Sequence, residues 1–157
     1  MDLTDIQDFA CVQWRYPPSS LIPARSKVLT LSKAPVISIV DDDESVREAT
    51  EFLVRSLGYA AATYSSAEEY LQSGRLYDCS CLITDLRMPG MSGADLQDAL
   101  IADGNRTPVI FISASLDEQV RARVLDAGAY GFLHKPFDEQ SLIECLNKAL
   151  NGEPAEQ

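Results

Sequence analysis

Basic residues are scarce in this sequence, and long hydrophobic runs are missing. The 157 residues include 13 Lys and Arg against 24 Asp and Glu, which gives a net charge of -11 at neutral pH. Nucleic acids and anionic membranes attract positive surfaces, so this balance argues against direct binding to either. No apolar stretch approaches the roughly 20 residues that a helix needs to cross a bilayer. The excess of carboxylates is compatible with binding of a cation.

The four cysteines show no spacing typical of a metal site or a disulfide framework. Cys79 and Cys81 lie two apart on a predicted strand, so we expect their side chains on one face of it. The N-terminus contains acidic residues and no continuous apolar core, which argues against a secretory signal. We therefore expect buried, reduced thiols in a cytoplasmic protein.

The first 34 residues are difficult to assign to a fold. Pro17, Pro18 and Pro23 interrupt regular structure there, and the segment carries four basic and three acidic side chains. We expect residues 1–34 to be a poorly ordered arm or linker. Residues 35–151 are expected to form one folded domain, followed by a short tail at 152–157.

From Val36 onward, apolar β-branched segments alternate with segments of helical periodicity. The strands are predicted at 36–40, 59–64, 79–84, 108–112 and 130–134. The first helix is predicted after Glu44, ending at Leu57, and the third at 92–102. Capping residues at 65–69, at 115–118 and at Asp138 predict the starts of the other three, which end near 74, 127 and 150. This alternation predicts an α/β fold with a doubly wound parallel sheet, in which right-handed crossovers place helices on both faces.

Polar side chains follow four of the predicted strands at the point where each strand ends. Asp41 and Asp42 follow the first, Asp85 ends the third, Ser113 follows the fourth and Lys135 follows the fifth. In an open parallel sheet the carboxyl ends of the strands meet at one edge, and sites form where the strand order reverses. In the order 2-1-3-4-5, strands one and three are neighbours. We therefore expect Asp41 or Asp42 to lie beside Asp85.

These residue types suit phosphoryl transfer. Carboxylates held close together repel each other unless a cation intervenes, and hard oxygen ligands suit Mg²⁺. A carboxylate such as Asp85 can act as a covalent phosphoryl acceptor. The transferred group spreads its negative charge over three oxygens, which Mg²⁺, Lys135 and the Ser113 hydroxyl could stabilise.

Four motifs in the sequence resemble those of the response-regulator receiver domain. They are Val40-Asp41-Asp42-Asp43, Thr84-Asp85-Leu86-Arg87-Met88-Pro89-Gly90, Ile112-Ser113-Ala114 and Gly131-Phe132-Leu133-His134-Lys135-Pro136-Phe137. The resemblance covers about residues 36–150 and implies the five-stranded, flavodoxin-like receiver fold.

The resemblance also implies a role for each site residue. Asp85 would be the phosphoacceptor, Lys135 the cation that pairs with the phosphate, Ser113 the switch hydroxyl and Phe132 the switch aromatic. The ligands of Mg²⁺ would be Asp42 directly, Asp41 directly or through water, Asp85, and the backbone carbonyl of Arg87. Independently of the resemblance, Arg87 is long, cationic and two residues after Asp85, so we expect its side chain either to cover the phosphoryl group and slow its hydrolysis or to be a solvated loop arginine. A cis peptide bond is implied at Lys135-Pro136.

The resemblance implies a response regulator in a phosphorelay, and we expect a single-domain one because the last predicted helix leaves no room for a second folded domain. It would take its phosphoryl group from a sensor histidine kinase or a phosphotransfer protein and catalyse only its own modification and dephosphorylation. The output would be binding to an unidentified protein target, as a monomer or a phosphorylation-dependent dimer, with no direct contact to nucleic acid or membrane. The alternative is a truncated receiver from a DNA-binding transcriptional regulator.

Two other classes fit less well. An aspartate-nucleophile phosphatase of the haloacid dehalogenase type has a second aspartate two residues after the nucleophile, where this chain has Arg87. A flavodoxin-like cofactor binder needs a Ser/Thr/Gly-rich phosphate loop after the first strand, where this chain has 41–44.

Overall fold

Five short apolar segments pair side by side into one parallel sheet. The computed structural model describes residues 33–152. The strands are β1 (Val36–Val40), β2 (Ala60–Tyr64), β3 (Cys81–Asp85), β4 (Val109–Ser113) and β5 (Gly131–His134). Their order is β2-β1-β3-β4-β5, and every adjacent pair is parallel, which confirms the predicted topology.

A helix follows each strand, and the predicted helix starts are close to those observed. The helices are α1 (Glu44–Ser56), α2 (Ala67–Gln72), α3 (Gly93–Ala102), α4 (Glu118–Asp126) and α5 (Glu139–Asn151). Side-chain oxygens of Asp43, Ser66, Ser92, Asp117 and Asp138 accept backbone N–H groups at the five N-termini. These caps satisfy donors that have no partner within the helix, so each helix starts at a defined residue. No helix between residues 33 and 152 combines the length and apolar character needed to cross a membrane.

The two faces of the sheet bury separate apolar clusters because successive side chains of a strand point to opposite sides. Val40, Leu82 and Phe111 pack on one face with buried residues of α2, α3 and α4. On the other face, the isoleucines of β1, β3 and β4 pack against Val54 of α1 and Leu142 of α5. Each fully buried aliphatic side chain contributes about 1.5–3 kcal/mol. Apolar packing therefore covers both faces of the sheet, whose strand ends carry the predicted site residues.

The two cysteines before and in β3 do not share a face, so that prediction was wrong. Cys81 packs in the cluster of Ile83, whereas Cys79 packs in the cluster of Tyr70. β3 begins only at Cys81, and the alternation of side chains holds only within a strand. Both thiols are buried, as expected, and Cys145 is half-buried.

Both chain ends lie outside the described residues. This applies to almost all of the predicted arm at 1–34, including its three prolines and Cys11, and to the predicted tail after Gly152. Gly152 caps α5 in the left-handed conformation, with φ of 71°.

Gly93, the first residue of α3, lies against the end of β3. Its N–H donates to the Leu86 carbonyl at 2.9 Å. A Cβ atom at this position would come within 2.2 Å of the Asp85 carbonyl oxygen and 3.1 Å of the Leu86 Cα atom. Backbone atoms cannot move away as a flexible side chain can, so only glycine fits here.

Gly93→Ala should therefore lower the free energy of unfolding by about 3 kcal/mol, the upper range for overpacking. Gly104→Ala is the control, because Gly104 has a positive φ of 74° but nothing within 4 Å of an added Cβ. Gly104→Ala should lower the free energy of unfolding by about 1 kcal/mol, because alanine is strained in the left-handed conformation. Urea unfolding of both variants measures the difference, and equal losses would contradict the proposed clash.

Candidate functional site

The carboxyl ends of four strands bring the predicted site residues to one edge of the sheet. Asp41 directly follows β1, Asp85 is the last residue of β3, Ser113 is the last residue of β4, and Lys135 directly follows β5. The register pairs Val40 with Thr84, Asp85 with Ile112, and Ser113 with His134. Residues distant in sequence are therefore close neighbours at this edge.

The Lys135 ammonium bridges two of the carboxylates. Its Nζ atom lies 3.0 Å from Asp41 Oδ2 and 3.2 Å from Asp85 Oδ2. Asp41 is fully buried, and the side chains of Asp85 and Lys135 are 10% and 17% exposed. A buried charge is stable only when it is paired and hydrogen-bonded, and the single positive charge of Lys135 is shared between the two aspartates.

Asp42 adds a third carboxylate, on the solvent side. One oxygen from each of Asp41, Asp42 and Asp85 lies within 4.8 Å of the others. Asp42 is exposed, whereas the other two are buried. Three hard oxygen ligands that open to solvent on one side suit Mg²⁺, which retains several of its waters when bound to protein. The donor set at this edge therefore fits the predicted cation.

The pKa values of Asp85 and Lys135 reflect this crowding. Burial raises the pKa of Asp85 above its usual value, and the Asp41 charge adds to that effect, although Lys135 opposes it. Burial alone would lower the pKa of Lys135, but the hydrogen bond and charge of Asp41, together with Asp85, raise it. Lys135 is therefore a firmly protonated cation, and the charge on Asp85 is not fully compensated.

Three backbone contacts fix Asp41 in place. Its Oδ1 atom accepts the Asp43 N–H at 2.9 Å, and its own N–H donates to the Tyr64 carbonyl at 3.2 Å. Its carbonyl accepts a hydrogen bond of 2.7 Å from the Arg47 guanidinium. Sequence reasoning missed Arg47. The sequence did contain a signal for it: Arg47 is a basic residue one turn into the helix that follows the acidic residues 41–44.

Ser113 and Phe132 lie on adjacent strands beside the carboxylates. Ser113 is buried, and its Oγ atom accepts the Ser115 N–H at 3.0 Å. The half-buried Phe132 ring stacks on Phe111, with 6.5 Å between centroids. The Arg121 guanidinium of α4 lies 5.8 Å from the centroid of Phe132, a cation–π contact that the sequence did not reveal.

Arg87 approaches the site with its backbone. Its N–H donates to Asp85 Oδ1 at 3.4 Å. Its side chain is 68% exposed, and its guanidinium pairs with Asp117 at the start of α4, at 3.7 Å. The Lys135-Pro136 peptide bond is cis, as predicted.

Comparison with known proteins agrees with this geometry. The model of the response regulator receiver domain matches residues 37–147. The response regulator protein TodT of Pseudomonas putida strain F1 is 42% identical over 125 residues, which cover 80% of this chain and 55% of TodT. The transcriptional regulatory protein FixJ of Azorhizobium caulinodans is 38% identical over 121 residues, covering 77% of this chain and 57% of FixJ. The chain spans about half the length of the curated relatives it matches.

A solved structure of the response regulator StyR is similar in three dimensions. It has a TM-score of 0.72 and 41% sequence identity, with 76% of this chain and 61% of the StyR chain covered. The strand order, the carboxyl-end residues and the match over 37–147 point to the same family. This chain belongs to the receiver domains of two-component response regulators.

Proposed function

We propose that Asp85 accepts a phosphoryl group from the phosphohistidine of a sensor histidine kinase or a phosphotransfer protein. The observation that carries this proposal is the Lys135 ammonium between Asp41 and Asp85, with the third carboxylate of Asp42 nearby. The acidic groups and the lysine provide a nucleophile and a fixed positive charge beside it. The folded unit that carries this activity is residues 35–151.

The transfer step needs little from the protein beyond position and charge. A carboxylate oxygen of Asp85 attacks the phosphorus atom and forms a new P–O bond. The P–N bond of the phosphohistidine breaks, and its electron pair remains on the imidazole nitrogen, which takes up a proton. Lys135, which lies 3.2 Å from Asp85 Oδ2, would contact one oxygen of the transferred group. The Ser113 hydroxyl, whose oxygen accepts the Ser115 N–H, would move to donate to another.

Magnesium would be held by Asp41, Asp42, Asp85 and the backbone carbonyl of Arg87. When bound, the ion neutralises charge on the phosphoryl oxygens. Arg47 holds the backbone carbonyl of Asp41, while the Asp43 N–H and the Lys135 ammonium hold its two carboxylate oxygens in one orientation. The Asp85 side chain keeps 10% of its surface exposed where β3 ends, and the chain then turns away through Met88-Pro89-Gly90.

The product is a modified protein, so the chain is not a metabolic enzyme. It catalyses its own phosphorylation and the later hydrolysis of the acyl phosphate. We further propose that Arg87 slows that hydrolysis by moving from Asp117 to cover the phosphoryl group. The present ion pair is long and exposed, so breaking it costs little.

The modified state is read through a surface formed by α4 and β5. A groove of about 170 Å³ there is lined by residues that include Leu116, Arg121, Phe132 and His134. Leu116 is 75% exposed, which leaves an apolar contact for a partner protein. Movement of Ser113 toward the phosphoryl group would release Ser115 and change this groove. The target is a protein, engaged by a monomer or by a phosphorylation-dependent dimer.

A second candidate is the receiver of a DNA-binding transcriptional regulator. The name of FixJ, a transcriptional regulatory protein, favours it. Immunoblotting of the native protein separates the two candidates. A species with the mass of this 157-residue sequence supports the single-domain regulator, and a much larger one supports the transcriptional regulator.

Beryllofluoride, a phosphoryl analogue, should bind in the presence of Mg²⁺ and should require Asp85. Asp85→Asn should abolish this binding because the nucleophilic carboxylate is lost. Asp43→Asn is the control: it removes a neighbouring carboxylate but keeps a side chain that caps α1. Fluorine NMR measures the bound analogue. Binding to the Asp85 variant, or steady hydrolysis of phosphate esters by the wild type, would contradict the receiver function.

Asp85→Asn should also stabilise the magnesium-free protein, by about 1 kcal/mol at neutral pH. The raised pKa means that the folded state binds the Asp85 proton more tightly than the unfolded chain. The stability of the wild type should therefore fall, relative to the variant, as pH rises from about 4 through the folded pKa. Above that pKa the difference should become constant.

Urea unfolding with a chelator at several pH values measures this difference. Asp43→Asn serves again as the control for loss of an acidic residue. A stability difference that does not change with pH, or that is smallest at neutral pH, would argue against an uncompensated charge on Asp85.

Ser113→Ala should uncouple the groove from the phosphoryl site. Beryllofluoride should shift the amide NMR signals of Arg121 and Phe132 in the wild type, and these shifts should fall by at least half in the variant. Ser73→Ala, which removes a hydroxyl that bonds to the Tyr70 carbonyl at the end of α2, is the control. Full-size shifts in the Ser113 variant would show that this hydroxyl does not transmit the change.

A further inference from the structure

The segment between β3 and α3 contains Arg87, whose backbone N–H donates to Asp85 Oδ1 at 3.4 Å. Its two ends are joined by the bond from Gly93 N–H to the Leu86 carbonyl. The Leu86 N–H in turn donates to the Ile112 carbonyl at 3.1 Å, which ties the start of the segment to β4. Met88 is buried, but Arg87, Pro89 and Gly90 are exposed. The exposed middle of the segment needs a further support if Arg87 is to hold one position.

Glu68 of α2 provides such a support. Its Oε1 atom accepts the Met91 N–H at 2.8 Å, across 23 residues of sequence. This hydrogen bond is the main reason that the pKa of Glu68 lies below its usual value. A charged acceptor makes a stronger bond to a backbone N–H than a neutral one does.

Gly90 allows the carboxylate to approach this closely. An added Cβ at Gly90 would lie 2.6 Å from Glu68 Oε1, and Gly90 has a positive φ of 79°. Because Gly90 has no side chain, the segment leaves room for the Glu68 carboxylate at this residue. The positive φ and the close approach of Glu68 therefore both favour glycine at position 90.

The neighbouring Glu69 has a different role. Its Oε2 atom accepts from the N–H and hydroxyl of Ser65, both at 2.7 Å. These contacts stay within the start of α2, as expected for a residue of a helix-capping sequence. Two adjacent carboxylates of equal charge thus differ in whether they reach the segment after β3.

We propose that Glu68 is a positioning residue for the phosphoryl site. By accepting the Met91 N–H, it fixes the segment 86–92 and so limits the positions that the Arg87 carbonyl, which would be a ligand of the cation, can adopt. This inference rests on the proposed function, because that function assigns the Arg87 carbonyl as a ligand. Glu68 itself touches neither the phosphoryl group nor the ion.

Glu68→Ala should weaken Mg²⁺ binding about tenfold, which is the usual effect of losing a partner that orients a ligand. Glu68→Gln should restore most of the affinity, since its amide oxygen can accept the same N–H. Glu69→Ala removes an equal charge from the same helix turn and should leave Mg²⁺ affinity within about twofold of the wild type. This comparison separates positioning from a general loss of negative charge.

Two readouts test the proposal on the full chain. In metal-free protein, hydrogen exchange of the Met91 amide should become about tenfold faster in Glu68→Ala and stay near wild type in the Glu69 variant. Amide NMR shifts during titration with Mg²⁺ alone then give the affinities. Urea unfolding confirms that each variant is folded.

Unchanged Met91 exchange in Glu68→Ala, or equal loss of Mg²⁺ affinity in the Glu68 and Glu69 variants, would overturn the proposal. If the proposed function is wrong, the result differs from both of these. In that case the wild type binds Mg²⁺ but no beryllofluoride, while the comparison of the Glu68 and Glu69 variants still decides the role of Glu68.

Discussion

The ion contacts of one lysine organise the functional edge of this molecule. Lys135 reaches from the end of β5 to carboxylates at the ends of β1 and β3, at 3.0 and 3.2 Å. Two buried aspartates this close would repel each other without a cation. Their closeness depends on the parallel sheet, which brings these strand ends to one edge. The fold thus supplies the position, and Lys135 makes the arrangement stable.

The charges at this site do not cancel, because one lysine faces two buried carboxylates. Burial and Asp41 raise the pKa of Asp85 even though Lys135 is beside it. Under the proposed function, a cation or a bound phosphoryl group with its counterion would change that balance, so the modified site would differ in charge from the unmodified one. Ser113, bonded to Ser115, links this balance to the groove in front of Phe132. Under the proposed function, a change of charge at Asp85 would alter the shape and polarity of this groove.

The sequence predicted those features that depend on local pattern. Alternating apolar segments give the five strands, and capping residues give the helix starts near Ser66 and Asp138. The convergence of Asp41, Asp85 and Lys135 follows from a general property of parallel sheets.

Contacts between distant segments were not predictable in this way. The bond between Glu68 and Met91 joins residues 23 apart, and no spacing rule relates a helix to a loop after the next strand. The ring contact of Arg121 and the pairing of Arg87 with Asp117 depend on how α4 packs. The error at Cys79 has a similar origin, because a strand boundary shifted by two residues changes the face that a side chain occupies.

The site of covalent modification is the most direct test of this account. The protein is incubated with Mg²⁺ and phosphoramidate, whose P–N bond resembles that of phosphohistidine, and the acyl phosphate is then reduced with borohydride. Peptide mass spectrometry should find homoserine at position 85 alone, and none in the Asp85→Asn variant. Modification at Asp41, Asp42 or His134 in place of Asp85, or no modification at all, would contradict the central role of Asp85.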